Sequence, residues 1–202
     1  MIPKLILAST SPRRKELLAL LVIPFEVVGS PFKEPPVPDR PVNLAELVRH
    51  LAFEKAKPIA EKAAEGLVIG SDTLVTLSHT EVGVPLGKPR SIDEARDMLR
   101  QLSGNTHAVY TGVALIEAGT GRHEVVACRT LVTFRTLNEA MIQSYLLTGE
   151  SMDKAGAYGS QGFAAPFIER FDGDFYNVMG LPLCTLGKML ERMGYEWYDR
   201  TP

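Results

Sequence analysis

Cysteine is scarce in this 202-residue sequence: there are two, Cys128 and Cys184, far apart. No metal-ligand spacing joins them and two thiols make no disulfide framework, so both are expected to be reduced. Long apolar runs are also missing. The N-terminal run covers only Leu5 to Ala8 before Ser9 and Thr10, too short for a signal-peptide core, and no stretch approaches a membrane span. A cytoplasmic protein without membrane contact is the expectation. Neither charge sign dominates, with 22 Lys and Arg against 24 Asp and Glu and a net charge of −2. Bulk affinity for nucleic acid or an acidic membrane is therefore not expected, and any polyanion site must gather its cations locally. The phosphate-cradling GxxxxGK[ST] pattern is absent, which disfavours an ordinary P-loop enzyme. No internal repeat or low-complexity linker divides the chain.

With 45% hydrophobic and 23% charged residues, the chain has the composition of one folded domain over residues 1–202. Leu5–Ala8 reads as a short buried strand. Ser11 and Pro12 start a helix to about Leu21, and Phe25–Val28 alternates like a strand. Five prolines between Gly29 and Pro41 mark a loop. Asn43 and Glu46 resemble a capping pair for a helix carrying Leu44, Leu47, Val48 and Leu51, expected to run to about Ala64. Leu67–Gly70 is a buried strand, extended or re-entered by Thr73–Leu77. Ser91 and Glu94 open another helix. His107–Ile116 and Glu124–Phe134 read as a hairpin of adjacent strands. Thr136 with Glu139 is expected to cap a helix, Phe163–Phe171 to form a strand around Pro166, and Leu183–Met193 to form the last helix. Strands and helices alternate before a hairpin intrudes, which predicts an α/β fold with a mixed, curved sheet.

Several stretches carry chemistry. Ser9-Thr10-Ser11-Pro12-Arg13-Arg14-Lys15 puts three cations in the first turn of a helix, where the dipole disfavours them by roughly 0.3–1 kcal/mol each. A bound anion reverses that sign and makes the turn a phosphate cradle; a solvated basic turn is the plainer reading. Lys55, on the edge of an apolar helix stripe, either snorkels to water or points into a cleft as a point charge. Asp72 follows a buried strand, where α/β folds place ligands, and a buried carboxylate needs a cation, a metal or water. Lys88 sits in the rigid turn Gly87-Lys88-Pro89. Residues 149–162 are rich in small residues that let backbone approach a ligand, and Gln161 offers both a donor and an acceptor to a base edge. Taken together, Arg13, Arg14, Lys55 and Lys88 supply cations, and Glu34, Glu54 and Asp72 supply carboxylates for a divalent ion. That is the inventory of phosphoryl chemistry.

In this combination the chain resembles the Maf family of nucleotide pyrophosphatases over nearly its whole length. The carrying segments are LILASTSPRRKELL, EKA at Glu54–Ala56, VIGSDT, GKP, LSGNTHAVYTGVAL, DKAGAYGSQG and GDFYNVMGLPL, in order. The resemblance implies an elongated mixed sheet flanked by helices, with a cleft between two lobes as in inosine triphosphatases. It implies hydrolysis of a nucleoside triphosphate to the monophosphate and pyrophosphate with a divalent cation such as Mg, Mn or Co. By family role, Asp72 matches the catalytic acidic residue, and Ser9, Arg14, Lys55 and Lys88 match phosphate-contacting positions. Glu34 and Glu54 match acidic positions near the metal. Arg13, Thr73 and Gln161 stand at the positions that separate a dTTP/UTP branch from a 7-methyl-GTP branch, and they look like the former. Charge agrees, since Arg13 would repel a methylated guanine. The family's link to septum formation leaves a nucleotide-binding regulator as the competing reading, and modified nucleotides as alternative substrates. Tyr195, Trp197 and Tyr198 in the tail either pack on a second copy, as in a homodimer, or on the core.

Overall fold

The N-terminal half alternates strand and helix as its periodicity requires. The computed structural model describes residues 4–198. In it β1 (Leu5–Leu7) leads into α1 (Pro12–Ala19), and β2 (Phe25–Val27) returns parallel to β1. After the proline-rich loop, β3 (Val42–Asn43) enters α2 (Leu44–Ala60), capped by the Asn43 side chain, which accepts from the Glu46 N–H at 3.1 Å. The helix stops at Ala60, short of Ala64, two residues after the internal Pro58 removes a backbone donor.

The two stretches around Asp72 are one strand, β4 (Leu67–Thr76). Short β5 (Val82–Gly83) pairs with β3, and β6 (Pro85–Leu86) pairs with the end of β4. Helix α3 (Ile92–Leu102) has the expected Ser91 cap. The hairpin of β7 (Thr106–Glu117) and β8 (His123–Phe134) follows. Helix α4 (Glu139–Leu146) is capped not by Thr136 but by Asn138, whose side chain accepts from the Met141 N–H at 2.9 Å. Residues 150–157 form short 3-10 turns. Pro166 lies in another such turn, so β9 begins only at Ile168 (Ile168–Asp172). A short helix that the periodicity did not show, α5 (Phe175–Met179), precedes α6 (Leu183–Arg192).

One mixed sheet runs β2-β1-β4-β7-β8-β9, with β6 on the β1 side of β4. The β1–β2 and β1–β4 pairs are parallel and the rest antiparallel. Helix α2 covers one face. Its Ala52 and Ala56 pack with Val68 and Ala114, and its Leu44 and Val48 with Leu74 and Tyr110. That face demands glycine at two points: a Cβ on Gly70 would meet the Ala52 carbonyl at 2.1 Å, and one on Gly112 the Val48 carbonyl at 2.0 Å. The opposite face carries two separate apolar clusters, the cores of two lobes. One gathers Leu5, Leu17, Leu18 and Ile69 under α6; the other gathers Val75, Leu99, Phe134 and Tyr158 under α3 and α4.

Between the lobes the same face is polar. Ser71, Thr111, Thr130 and Asn177 are fully buried there. Ser71 Oγ donates to the Gly180 carbonyl at 2.8 Å, Thr111 Oγ1 to the Asn177 carbonyl at 2.8 Å, and Thr130 Oγ1 to the Asp174 carbonyl at 2.9 Å. Asn177 Nδ2 donates to the Val109 carbonyl and to Thr130. These bonds seat α5 on the stripe and satisfy the three hydroxyls and the Asn177 Nδ2, which would otherwise be costly to bury. In the tail, Tyr195 and Trp197 pack on the α6 cluster, while Tyr198 is exposed. No helix among the described residues is long and apolar enough to cross a membrane.

Candidate active site

The edge of β4 that faces β1 and β6 opens in the middle. Strand β1 pairs with it through Ile69 and β6 from Val75, so Gly70–Leu74 have no strand neighbour there among the described residues. Side chains alternate along the strand, so Asp72 emerges on the α2 face and Thr73 on the lobe face. The open edge lets both reach one cavity, lined by both residues.

Lys55 meets Asp72 from α2. Its Nζ lies 2.6 Å from Asp72 Oδ1 and 2.6 Å from Glu34 Oε1. Lys55 is 9% exposed and Asp72 5%, so neither charge is held by water; each is the other's main compensation. The ammonium points into the cleft, not out to solvent. Glu34 comes from the proline-rich loop and is more exposed. Burial alone would raise its carboxyl, but the hydrogen bond and charge of Lys55, with Arg14 and Lys88, hold it below the ordinary 4.5.

Arg14, one turn into α1, donates from Nε to the Gly180 carbonyl at 2.9 Å and from NH2 to Thr73 Oγ1 at 3.1 Å. Burial pulls its guanidinium below the ordinary value, while Asp72 and Glu34 act against that. The helix start itself is open. Ser11 occupies the N-cap position, but its hydroxyl makes no capping bond and the first turn has no acidic residue. Ser9 Oγ accepts from the Ser11 N–H at 3.2 Å. Ser9, Ser11 and Arg13 line the adjoining part of the cleft with Lys88. A positive helix end left uncapped and flanked by hydroxyls suits an anion.

At the other end lie Gln161 and Ser160, with Asp153 and Lys154. The last two were not singled out by sequence, although both stand in the small-residue segment. Lys154 Nζ is 2.6 Å from Asp153 Oδ1, and that hydrogen bond is the main reason the Asp153 carboxyl is lowered. Five cationic side chains, Arg13, Arg14, Lys55, Lys88 and Lys154, thus share one cavity with three carboxylates, Glu34, Asp72 and Asp153. The chain as a whole is slightly acidic, so cations are concentrated here.

The structure therefore brings together Ser9, Arg13, Arg14, Glu34, Lys55, Asp72, Thr73, Lys88 and Gln161 around one cleft. Glu54 is the exception. It precedes Lys55 on α2, a step of about 100° around the helix, and does not line the cleft. No group of three His, Cys, Asp or Glu side chains poised for a metal occurs among the described residues. The fit to a divalent ion is narrower: Glu34 and Asp72 converge on one point, Lys55 Nζ. Two carboxylates completed by substrate phosphates are a usual arrangement for such ions.

The sequence model of the Maf-like proteins matches residues 4–193. The chain belongs to the Maf-like protein family. Among similar proteins, the dTTP/UTP pyrophosphatase of Moorella thermoacetica is 45% identical over 98% of both chains. That of Bacillus cytotoxicus is 46% identical over 94% of this Maf-like chain and 95% of its own. The solved Ham1 protein of Staphylococcus aureus shares the fold, with a TM-score of 0.51 at 14% identity over 94% of this chain and 99% of that one.

Proposed function

We propose that this Maf-like protein hydrolyses nucleoside triphosphates, dTTP and UTP foremost, between the α- and β-phosphates, releasing pyrophosphate. The observation that carries the reading is the cationic cleft built around the Lys55–Asp72–Glu34 cluster at the open edge of β4. The relatives named dTTP/UTP pyrophosphatase support the substrate. So do Arg13, Thr73 and Gln161, which line one cavity.

In this reading the polyphosphate lies from the open start of α1 toward Lys55. Arg14 and Lys88 neutralise it, and Ser9 and Ser11 offer hydroxyl and backbone donors. Arg14 is held against Thr73 and Gly180, so its fork is oriented before the substrate arrives, which spares reorganisation in the transition state. Asp72 accepts the proton of the attacking water. Lys55 holds Asp72 and Glu34 in place and offsets charge on the leaving pyrophosphate. A divalent cation, bound by Glu34, Asp72 and phosphate oxygens, would acidify water and neutralise phosphate charge. Gln161 presents an amide to the base, matching the carbonyl and N–H edge of a pyrimidine. The setting is cytoplasmic, in keeping with two free thiols, Cys128 and Cys184.

The test is a screen of canonical and modified triphosphates with Mg, Mn or Co, with products separated by chromatography. The expected result is monophosphate plus pyrophosphate, fastest for dTTP and UTP and lost with chelator. Release of single phosphates, or a purine preference, would contradict the reading.

A further inference from the structure

The loop that carries Gln161 is held by groups other than Gln161 itself. Glu150, in the 3-10 turn after α4, folds its side chain back under that loop. Its Oε2 accepts from the Phe163 N–H at 2.7 Å. Its carboxylate also lies against two glycines. A Cβ on Gly159 would meet Glu150 Oε1 at 2.5 Å, and one on Gly162 would overlap the same oxygen. Lys154 closes the other side, with its Cε 2.8 Å from a Cβ at Gly159 and its Nζ donating to the Glu150 carbonyl at 2.9 Å. The Glu150 carboxylate also raises the neighbouring Tyr145 phenol, after burial the largest cause. Two glycines, one carboxylate and one lysine stem thus fix a turn whose exposed residue, between the glycines, is Gln161. The turn's own backbone bonds are few: Gly162 N–H to the Gly159 carbonyl at 3.2 Å and Ala165 N–H to the Gly162 carbonyl at 3.0 Å.

We infer that Glu150 is a positioning residue for base recognition, fixing through the Phe163 N–H the turn that aims Gln161 into the cleft. The inference deepens the proposed nucleotide reading and rests on it. Glu150 does not line the cleft, so its loss should leave the phosphate grip intact and loosen the base end. Uniform binding is then lost, which raises KM and leaves kcat nearly unchanged.

The experiment compares wild type with Glu150→Ala, Glu150→Gln and Gly162→Ala. The readouts are kcat and KM for UTP and dGTP, and binding of the α,β-imido analogue of UTP against inorganic triphosphate. For Glu150→Ala the expected result is a tenfold or greater rise in KM for UTP, kcat within about threefold, and a shrunken preference for UTP over dGTP. Affinity for inorganic triphosphate stays put. Glu150→Gln, which keeps an acceptor for Phe163, retains wild-type values. Gly162→Ala, which displaces the carboxylate without touching the core, reproduces Glu150→Ala even if the latter folds poorly. Unchanged KM and preference in Gly162→Ala and Glu150→Ala overturn the inference, as does an equal loss of affinity for inorganic triphosphate. Binding that discriminates bases without any hydrolysis would instead strike the proposed reaction and leave the role of Glu150 standing.

Discussion

The two ends of the cleft are built in different ways. At the phosphate end regular elements supply Arg14 from α1, Lys55 from α2, and Asp72 and Thr73 from β4, each held by contacts from another element, and loops add Ser9, Glu34 and Lys88. At the base end Gln161 rides on a turn in a segment of short 3-10 pieces, tied down by single side chains. This is a division of labour. Charges that must be desolvated and aligned for chemistry sit where backbone geometry is over-determined. The group that selects among bases sits where a few substitutions can re-aim it without disturbing the fold.

Substitutions at the phosphate end should cost the most activity. Asp72→Asn keeps the shape and leaves Lys55 paired with Glu34 but removes the proton acceptor, so kcat for UTP should fall by about 10²–10⁴, with a smaller loss of stability than removal of Lys55 brings. Lys55→Met should abolish turnover and also destabilise the fold. It leaves Asp72, 5% exposed, without its cation, a loss of about 3–5 kcal/mol for a buried pair broken on one side. Urea unfolding of the two variants separates the outcomes. If Asp72→Asn turned over UTP at the wild-type rate, the chemistry would have to be assigned elsewhere in the cleft.

The unevenness shows in what sequence made legible. Elements with strong periodicity or caps were readable: α2 from Asn43 and its apolar stripe, α3 from Ser91, the β7–β8 hairpin from two long apolar segments. Helix α5 was not, because its five residues are too few for a period. Its marks are Asp174, which accepts from the Tyr176 N–H at 2.7 Å, and Gly180 with φ 106°. Arg14, Lys55 and Asp72 are legible because each is a charge next to a recognisable element, whereas Ser9 and Glu34 take their roles from the family resemblance. Their convergence was not readable, since it depends on the gap between β1 and β6 along β4 and on the close approach of α2. Lys154 and Glu150 went unnoticed in a glycine-rich segment, where no period shows which side chains fold back.

The close approach of α2 gives the next prediction. Gly112→Ala forces a Cβ to 2.0 Å from the Val48 carbonyl, which is backbone and has no rotamer to yield. Helix α2 must shift, and overpacking of this kind costs about 1–3 kcal/mol. Because Lys55 rides on the same helix, activity should fall with stability at 25 °C, whereas Gly162→Ala should change base preference with little loss of stability. Equal melting temperatures for Gly112→Ala and wild type would mean that the helix does not depend on this contact.

The smallest effect separates the ends by pH. His107 is fully buried in the lobe that carries the base-end loop, with Nε2 2.8 Å from the Tyr158 hydroxyl and the ring edge-on to Phe134. Burial, with a smaller push from His79, lowers its pKa from 6.5 to about 3. The unfolded chain therefore binds a proton below pH 6.5 that the folded chain refuses until about pH 3, and stability must fall as pH drops through that window. One group contributes at most about 1.4 kcal/mol per pH unit, or about 2 kcal/mol between pH 6.5 and 5. The Glu34 carboxyl, lowered from 4.5, stabilises the folded state above that value and gives up its share only as pH falls below it through the folded pKa. Between pH 6.5 and 5, then, the acid loss belongs to the base-end lobe and not to the Glu34–Lys55 pair. Urea unfolding at pH 7 and pH 5 should show the loss in wild type and in Glu34→Gln, and should show it reduced in His107→Leu, whose lower stability at pH 7 does not affect the slope. A slope in His107→Leu as steep as in wild type would place the acid sensitivity in another group.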